Sequence, residues 1–475
     1  MRVIMSMATA AAAAVALAAP ATTASATAQP AAAPEAKCKG HTVTINGTDG
    51  NDKIVGTPRA DVIRTWKGDD VIKGRGGNDI ICGDEGADTL IGGAGNDRLH
   101  GGPFKLIDYE EELGAKGDLL IGGRGNDRIF GGGSPENESP WVMPFLVVPD
   151  RVEFPEARGG ITIDKRGVAT GPGIGRDRLF GAQRVTGTRW ADRITVRGEH
   201  IVAGKGGDDR ITVLTGPKDG QIEASARGQR GDDRIDLSRS AKGYYEIDGG
   251  AGRDRLTGSP RTEYIVDRFG RGSVRGGGSY DQISVTSRVS VRGDGGDDLL
   301  QIRLVKGHLR SIDGGAGRDR LELSNPTGRD LHINLPKRQL RVGRAAASLR
   351  RAEAYAVPAR NADAYFVGSD RADRLSSFVR KGNFIRARLG GGDDKFNIGG
   401  PYGPAGRAIV YGEGGADELD GNYTHDRFFG GRGNDTLWGD VANDVLRGGP
   451  GHDKADGGPG KKDLCRAESK RQCER

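Results

Sequence analysis

The chain is short of what ordinary domains are built from. Of 475 residues, 35% are hydrophobic and 5% aromatic. Material for a thick core is scarce, so several conventional globular domains are disfavoured although the length would admit them. No segment beyond the first 28 residues has the ~18 consecutive apolar residues that a membrane-crossing helix needs, so no transmembrane segment is expected in the mature chain. GxSxG, HExxH and Walker A sequences are absent. The seven histidines, at 41, 100, 200, 308, 332, 425 and 452, are scattered. Sparse aromatics and the lack of a basic helix argue against a nucleic-acid partner. A net charge of +6 is small for this length and argues against plain disorder. What abounds is glycine, 81 residues, without the three-residue period of collagen. A glycine-rich, core-poor chain has two routes to order, repetition and bound metal.

The ends carry their own signals. Residues 1–28 combine Arg2, an alanine-rich apolar stretch over 8–20 and small-residue patterns at Ala24-Ser25-Ala26 and Ala26-Thr27-Ala28, which read as a cleaved secretory signal. Four cysteines, Cys38, Cys82, Cys465 and Cys473, lie two near each end. Outside the cytoplasm an even number reads as disulfides, and the favoured pairs are Cys38–Cys82 and Cys465–Cys473. Zinc is the rival reading, without a CxxC or histidine pair to support it.

From Gly47 a nine-residue beat begins. Gly47-Thr-Asp-Gly-Asn-Asp52-Lys-Ile54 is followed by Gly74-Arg-Gly-Gly-Asn-Asp79-Ile-Ile81, Gly83-Asp-Glu-Gly-Ala-Asp88-Thr-Leu90 and Gly92-Gly-Ala-Gly-Asn-Asp97-Arg-Leu99. The sixth-position aspartates 52, 61, 70, 79, 88 and 97 are each nine apart. Glycines at positions 1, 2 and 4 permit left-handed backbone and close approach, which makes a tight turn. The last three residues, such as Arg98-Leu99-His100, form a short strand with its middle side chain inward. Two units make one coil of 18 residues, and stacked coils pair as parallel strands ~4.8 Å apart.

Stacking places Asp52, Asp70 and Asp88 in one column and Asp61, Asp79 and Asp97 in another. Two bare carboxylates ~4.8 Å apart repel by about 1 kcal/mol in water and by ~3–4 kcal/mol at an effective dielectric of 20. A cation between rungs relieves this, and an oxygen-only ligand set suits calcium better than magnesium or zinc. The alternative is a metal-free turn in which the aspartate bonds its own backbone. That reading competes for a single unit and is disfavoured for columns.

The unit resembles the GGxGxDxUx nonapeptide of RTX (hemolysin-type) calcium-binding proteins, where U is a large aliphatic residue. The resemblance implies an all-β fold, a right-handed parallel β-roll or β-helix solenoid with several Ca2+ ions in its Gly/Asp turns. The aspartates it assigns to calcium are Asp52, Asp70, Asp79, Asp88, Asp97, Asp127, Asp209, Asp233, Asp254, Asp298, Asp319, Asp394, Asp417, Asp435 and Asp453.

The beat also organises the chain. After the signal and an Ala/Pro linker (29–37), a first nonapeptide block spans 38–133. Within it, the 30-residue steps Asp88–Asp118 and Asp97–Asp127 imply twelve residues looped out of PFKLIDYEEELGAK. Residues 134–171 form a repeat-free insert with an apolar stretch, 140–149, expected to cover the side of the solenoid or to meet a partner. Over 172–323 the aspartates 177, 192, 209, 233, 254, 281, 298 and 319 are spaced by about one coil or more. One calcium turn per coil is expected there, down one edge only. A second repeat-free insert spans 324–367, a second nonapeptide block 368–464, and a basic tail with its disulfide 465–475. In the last block the Asp417, Asp435 and Asp453 units match the repeat well, whereas the Asp426 and Asp444 units have lost their second and fourth glycines and are expected to bind poorly.

The function expected is a stand-alone, non-catalytic, secreted or extracellular calcium binder that folds on meeting Ca2+. Two rivals stay open. One is a surface adhesin whose arginine stripe at position 7 attracts an anionic cell-wall polymer or polysaccharide. The other is a polysaccharide-acting enzyme on a β-helix.

Overall fold

The computed structural model describes residues 36–103, 117–132, 150–198, 200–215, 223–240, 244–359, 362–398, 406–459 and 462–473. The expected signal over 1–28, the twelve looped-out residues and the apolar stretch 140–149 lie outside them. Among the described residues the chain is strand and turn, and no helix is long and apolar enough to cross a membrane.

Each coil lays one strand on each of two walls. On the second wall Lys53–Val55 pairs in parallel with Val71–Gly76, then Thr89–Ala94, then Leu119–Arg124. On the first wall Val62–Arg64, Ile80–Cys82, Arg98–His100 and Arg128–Phe130 pair likewise. The 18-residue period sets the register, so position 8 falls on position 8: Ile72 lies beside Leu90 and Leu90 beside Leu120, all fully buried. Facing them are Ile63, Ile81, Leu99 and Ile129. The core is therefore a thin ladder between walls, as a core-poor composition demands. Polar and charged side chains alternate outward. The second wall continues unbroken in parallel to Ser469–Arg471.

The first wall is interrupted twice, against the expectation of an all-parallel stack. Thr162–Ile163, Val168–Gly171 and Gly175–Phe180 form an antiparallel meander between Arg128–Phe130 and Arg193–Arg197. Leu331–Asn334, Gln339–Val342 and Ala345–Arg350 form another between Ile312–Ala316 and Ala364–Val367. The repeat-free inserts are thus where extra strands enter one wall. They lack the motif because tight hairpins, with Gly167 at φ +73° and Gly343 at φ +57°, replace the coil-joining turns.

Both expected disulfides are present. Cys38 joins Cys82 with Cα atoms 6.0 Å apart, and Cys465 joins Cys473 at 5.7 Å. The tail is more than a cap, because Ser469–Arg471 completes the last coil against Lys454–Asp456.

Candidate metal centre

The motif aspartates stand at the turns that enter the walls, and a repeated hydrogen bond links them. On the second-wall edge the Asp52 N–H donates to Asp70 Oδ1 at 2.8 Å, Asp70 to Asp88 at 2.9 Å, Asp88 to Asp118 at 2.8 Å and Asp118 to Asp150 at 3.0 Å. On the first-wall edge Asp61, Asp79, Asp97, Asp127 and Asp177 are joined the same way. The 30-residue steps keep phase, as the spacing predicts.

Beyond the first meander, Asp192, Asp209, Asp233 and Asp254 form a ladder on the first-wall edge. Glu263, Asp281, Asp298, Asp319 and Glu353 form the next on the second-wall edge. The single edge expected for 172–323 is therefore corrected: the ladder changes sides. Glu263 follows Asp254 by nine residues, half a coil, which carries the acid to the opposite turn. Following aspartates alone hid this step, because the hinge residue is a glutamate. A further second-wall ladder runs through Asp373, Asp394, Asp417, Asp435, Asp453 and Glu468. On the first-wall edge Asp426, Asp444 and Asp463 run beside it. Asp150, Glu353 and Glu468 went unrecognised because no full glycine turn precedes them, and Asp463 because it stands one residue late after Gly457-Gly-Pro-Gly460.

One oxygen of each rung is thus engaged. The other, Oδ2, is buried without a partner at Asp70, Asp79, Asp88, Asp97, Asp127, Asp209, Asp233, Asp254, Asp298, Asp319, Asp394, Asp417, Asp435 and Asp453. Asp177, Asp281 and Asp444 share this state. Fourteen of the fifteen aspartates assigned to calcium are in this set; Asp52 is not. A buried carboxylate oxygen without a partner is costly unless a cation meets it. Burial accordingly pushes the carboxyls up, to about 7 for Asp88, Asp97 and Asp233 and to about 8 for Asp209, Asp298 and Asp394.

The glycines shape the cradle around this oxygen. A Cβ on Gly74 would lie 2.3 Å from Asp79 Oδ2 and 2.6 Å from the Gly92 carbonyl oxygen of the next coil. Gly92 repeats this against Asp97 Oδ2 at 2.4 Å and the Gly122 carbonyl at 2.6 Å. Hard oxygens from carboxylate and main chain therefore converge where a side chain would otherwise stand. Among the described residues no three His, Cys, Asp or Glu side chains gather as a metal cluster. A cation here would rest on carbonyls and one carboxylate per turn, a donor set that fits calcium. The Asp444 unit, expected to be poor, keeps the same turn without its glycines: Asp440 sits at φ +66° and Ala442 at φ +102°, a strained choice for residues with a Cβ.

Comparison with known families agrees with this geometry. The family model for the RTX calcium-binding nonapeptide repeat (4 copies) matches residues 46–81, 83–103, 114–134, 246–260, 402–437, 420–455 and 438–461. The chain thus carries RTX nonapeptide repeats, which bind calcium, in both terminal blocks and at one place between them. No curated protein matches it.

Proposed function

We propose that this chain is a secreted, non-catalytic calcium-binding solenoid whose turns are completed by Ca2+ outside the cell. The observation that carries the reading is the file of buried, partnerless Oδ2 atoms along stacked coils. Asp70, Asp79, Asp88, Asp97, Asp127, Asp209, Asp233, Asp254, Asp298, Asp319, Asp394, Asp417, Asp435 and Asp453 are the proposed carboxylate ligands. The leader-like segment 1–28 and the two disulfides suit an oxidising, extracellular setting. Extracellular calcium modules bind at about 10⁻⁴–10⁻³ M, so turns of this kind fill only where free calcium approaches that range. Because calcium binds the folded chain, it stabilises the fold by mass action. A calorimetric calcium titration tests this: several ions per chain are expected, with melting temperature rising with free calcium. Absence of calcium binding would overturn it.

One observation favours a second reading. Arg193, Arg210, Arg234 and Arg255 lie in direct register on adjacent first-wall strands, and all four are exposed. Such a stripe attracts a linear polyanion, as an adhesin for an anionic wall polymer requires. Co-sedimentation with wall material, lost on replacing these four arginines, distinguishes this from calcium binding alone.

A further inference from the structure

The repeat contains two kinds of turn. In the common kind, position 2 is left-handed whatever residue stands there: Arg75 at φ +79°, Lys205 at +78°, Asp294 at +73° and Glu413 at +78° match glycines such as Gly93 at +114°. Position 4 is left-handed as well, as at Gly77 (φ +105°) and Gly207 (φ +96°). In these turns the acid's Oδ2 is buried and partnerless, as at Asp79, Asp209, Asp298 and Asp417.

The second kind has Thr or Ser at position 2: Thr48, Thr57, Thr188, Ser259 and Ser369. None of them is left-handed, nor are Arg59 and Trp190, which hold position 4 in two of these turns. Their main-chain and hydroxyl groups take over the acid instead. The N–H groups of Thr48, Thr57, Thr188 and Ser369 donate to Oδ2 of Asp52, Asp61, Asp192 and Asp373 at 2.6–2.7 Å. The hydroxyls of the same four residues donate to those carboxylates at 2.9–3.1 Å, and the Ser259 hydroxyl donates to Glu263 Oε1. Each hydroxyl also accepts the N–H two residues on, for example Trp190 to Thr188 at 3.1 Å. The four aspartates are absent from the set with a partnerless oxygen, while Glu263 keeps Oε2 without one.

The position of these turns is not random. Asp52 and Asp61 are the first rungs of the two N-terminal ladders. Asp192 opens the ladder after the first meander, Glu263 the one on the opposite edge, and Asp373 the one after the second meander. The sixth ladder opens at Asp426, where another hydroxyl, that of Thr424, donates to Oδ1 at 3.2 Å. Except at Asp373, where Glu353 stands one coil earlier on the same edge without a glycine turn, a first rung has no acid at the equivalent place before it to complete a shell of carbonyls. A hydroxyl and an N–H satisfy its carboxylate without one.

We propose that the Thr/Ser turns are cation-free opening rungs: Thr48, Thr57, Thr188 and Ser369 occupy the carboxylate that a calcium ion would take, and Ser259 does the same in part for Glu263. This rests on calcium being the ion of the glycine turns. Five of the six ladders then start from a turn that forms without metal, and calcium loads the rungs after it. Asp52, assigned to calcium by its motif, is on this account a structural acceptor.

Equilibrium dialysis of the full chain with 45Ca, for wild type, Asp192→Asn and Asp209→Asn, tests the assignment. Asp209→Asn is expected to lose at least one bound ion per chain, and Asp192→Asn to keep the wild-type number. An equal loss from both variants would overturn the opening-rung assignment while leaving calcium binding intact. A wild type that binds no calcium would remove the functional reading together with it. Should a variant not fold, the anomalous difference map of calcium-soaked wild-type crystals decides. Peaks are expected in the turns of Asp209 and Asp233 and none in the Thr188–Asp192 turn, and a peak beside Asp192 would contradict the proposal.

Discussion

The N-terminal block and the middle of the solenoid solve one problem in two ways. In the N-terminal block both edges carry acid ladders, and first-wall strands such as Arg98–His100 send one side chain inward. In the middle only one edge carries a ladder at a time, and several strands send two apolar side chains inward. Arg193–Arg197 buries Ile194 and Val196, Gln282–Thr286 buries Ile283 and Val285, and Leu299–Arg303 buries Leu300 and Ile302. Each extra buried Val, Ile or Leu stabilises by about 1.5–3 kcal/mol. Where a coil gives up one file of acidic turns, it gains a second apolar file. Metal and core are alternative ways to hold the coils together, and the two regions use them in different proportion.

That contrast can be broken most forcefully by chelation. Hydrogen exchange in excess EGTA is expected to strip protection from residues 47–132 first, while 192–323 retains more of it. Uniform loss, or loss in the middle first, would refute the trade between ion and core. Core truncation should follow the same division. Leu99→Ala, in a strand with one inward side chain, is expected near the top of the about 2–5 kcal/mol range, and Leu300→Ala, with Ile302 beside it, nearer the bottom, by denaturant melts in calcium. Glycine substitution sharpens the role of the turn. Gly92→Ala sets a Cβ against Asp97 Oδ2 and the Gly122 carbonyl and should cost about 3 kcal/mol. Gly414→Ala meets nothing within 4 Å and should stay within about 0.5 kcal/mol.

The smallest expected effect is a pH dependence of unusual sign. Burial raises Asp209 and Asp298 to about 8 and Asp233 to about 7, above the 3.8 of an open chain. A raised folded-state value stabilises the fold below the unfolded value, and that contribution is lost as pH rises through the folded value. In chelator the middle region should therefore melt a few degrees higher at about pH 5 than at about pH 8. Protons and calcium compete for the same oxygens, so added calcium should raise the melting temperature more at pH 8 than at pH 5. A chelated protein that is less stable at pH 5 than at pH 8 would contradict the burial of these acids.

Much of this was legible in the sequence. The nine-residue spacing from Asp52 to Asp97 fixed the coil, the columns and the inward position of Leu90 and Leu99, because a period-18 stack leaves one register that buries the aliphatic. The phase across the 30-residue steps was readable for the same reason. Three features were not. The edge change at Glu263 was hidden by the wrong acid at the right spacing. The meanders at 162–180 and 331–350 have hairpin chemistry rather than repeat chemistry, and their place in the first wall is set by pairing with distant strands. The Thr/Ser turns were on the page as Gly47-Thr48 and Gly187-Thr188, yet threonine at position 2 reads as a tolerated substitution until its hydroxyl is seen on the acid. The metal-free turn weighed against calcium for a single unit is the arrangement these opening rungs adopt.

The most direct test of the central claim is far-ultraviolet circular dichroism and thermal melting of the full chain after exhaustive dialysis against EGTA, repeated with millimolar calcium restored. The account predicts a weaker strand signal and a lower melting temperature without the ion, both recovered on its return. The same spectrum and the same melting temperature in both conditions would contradict it.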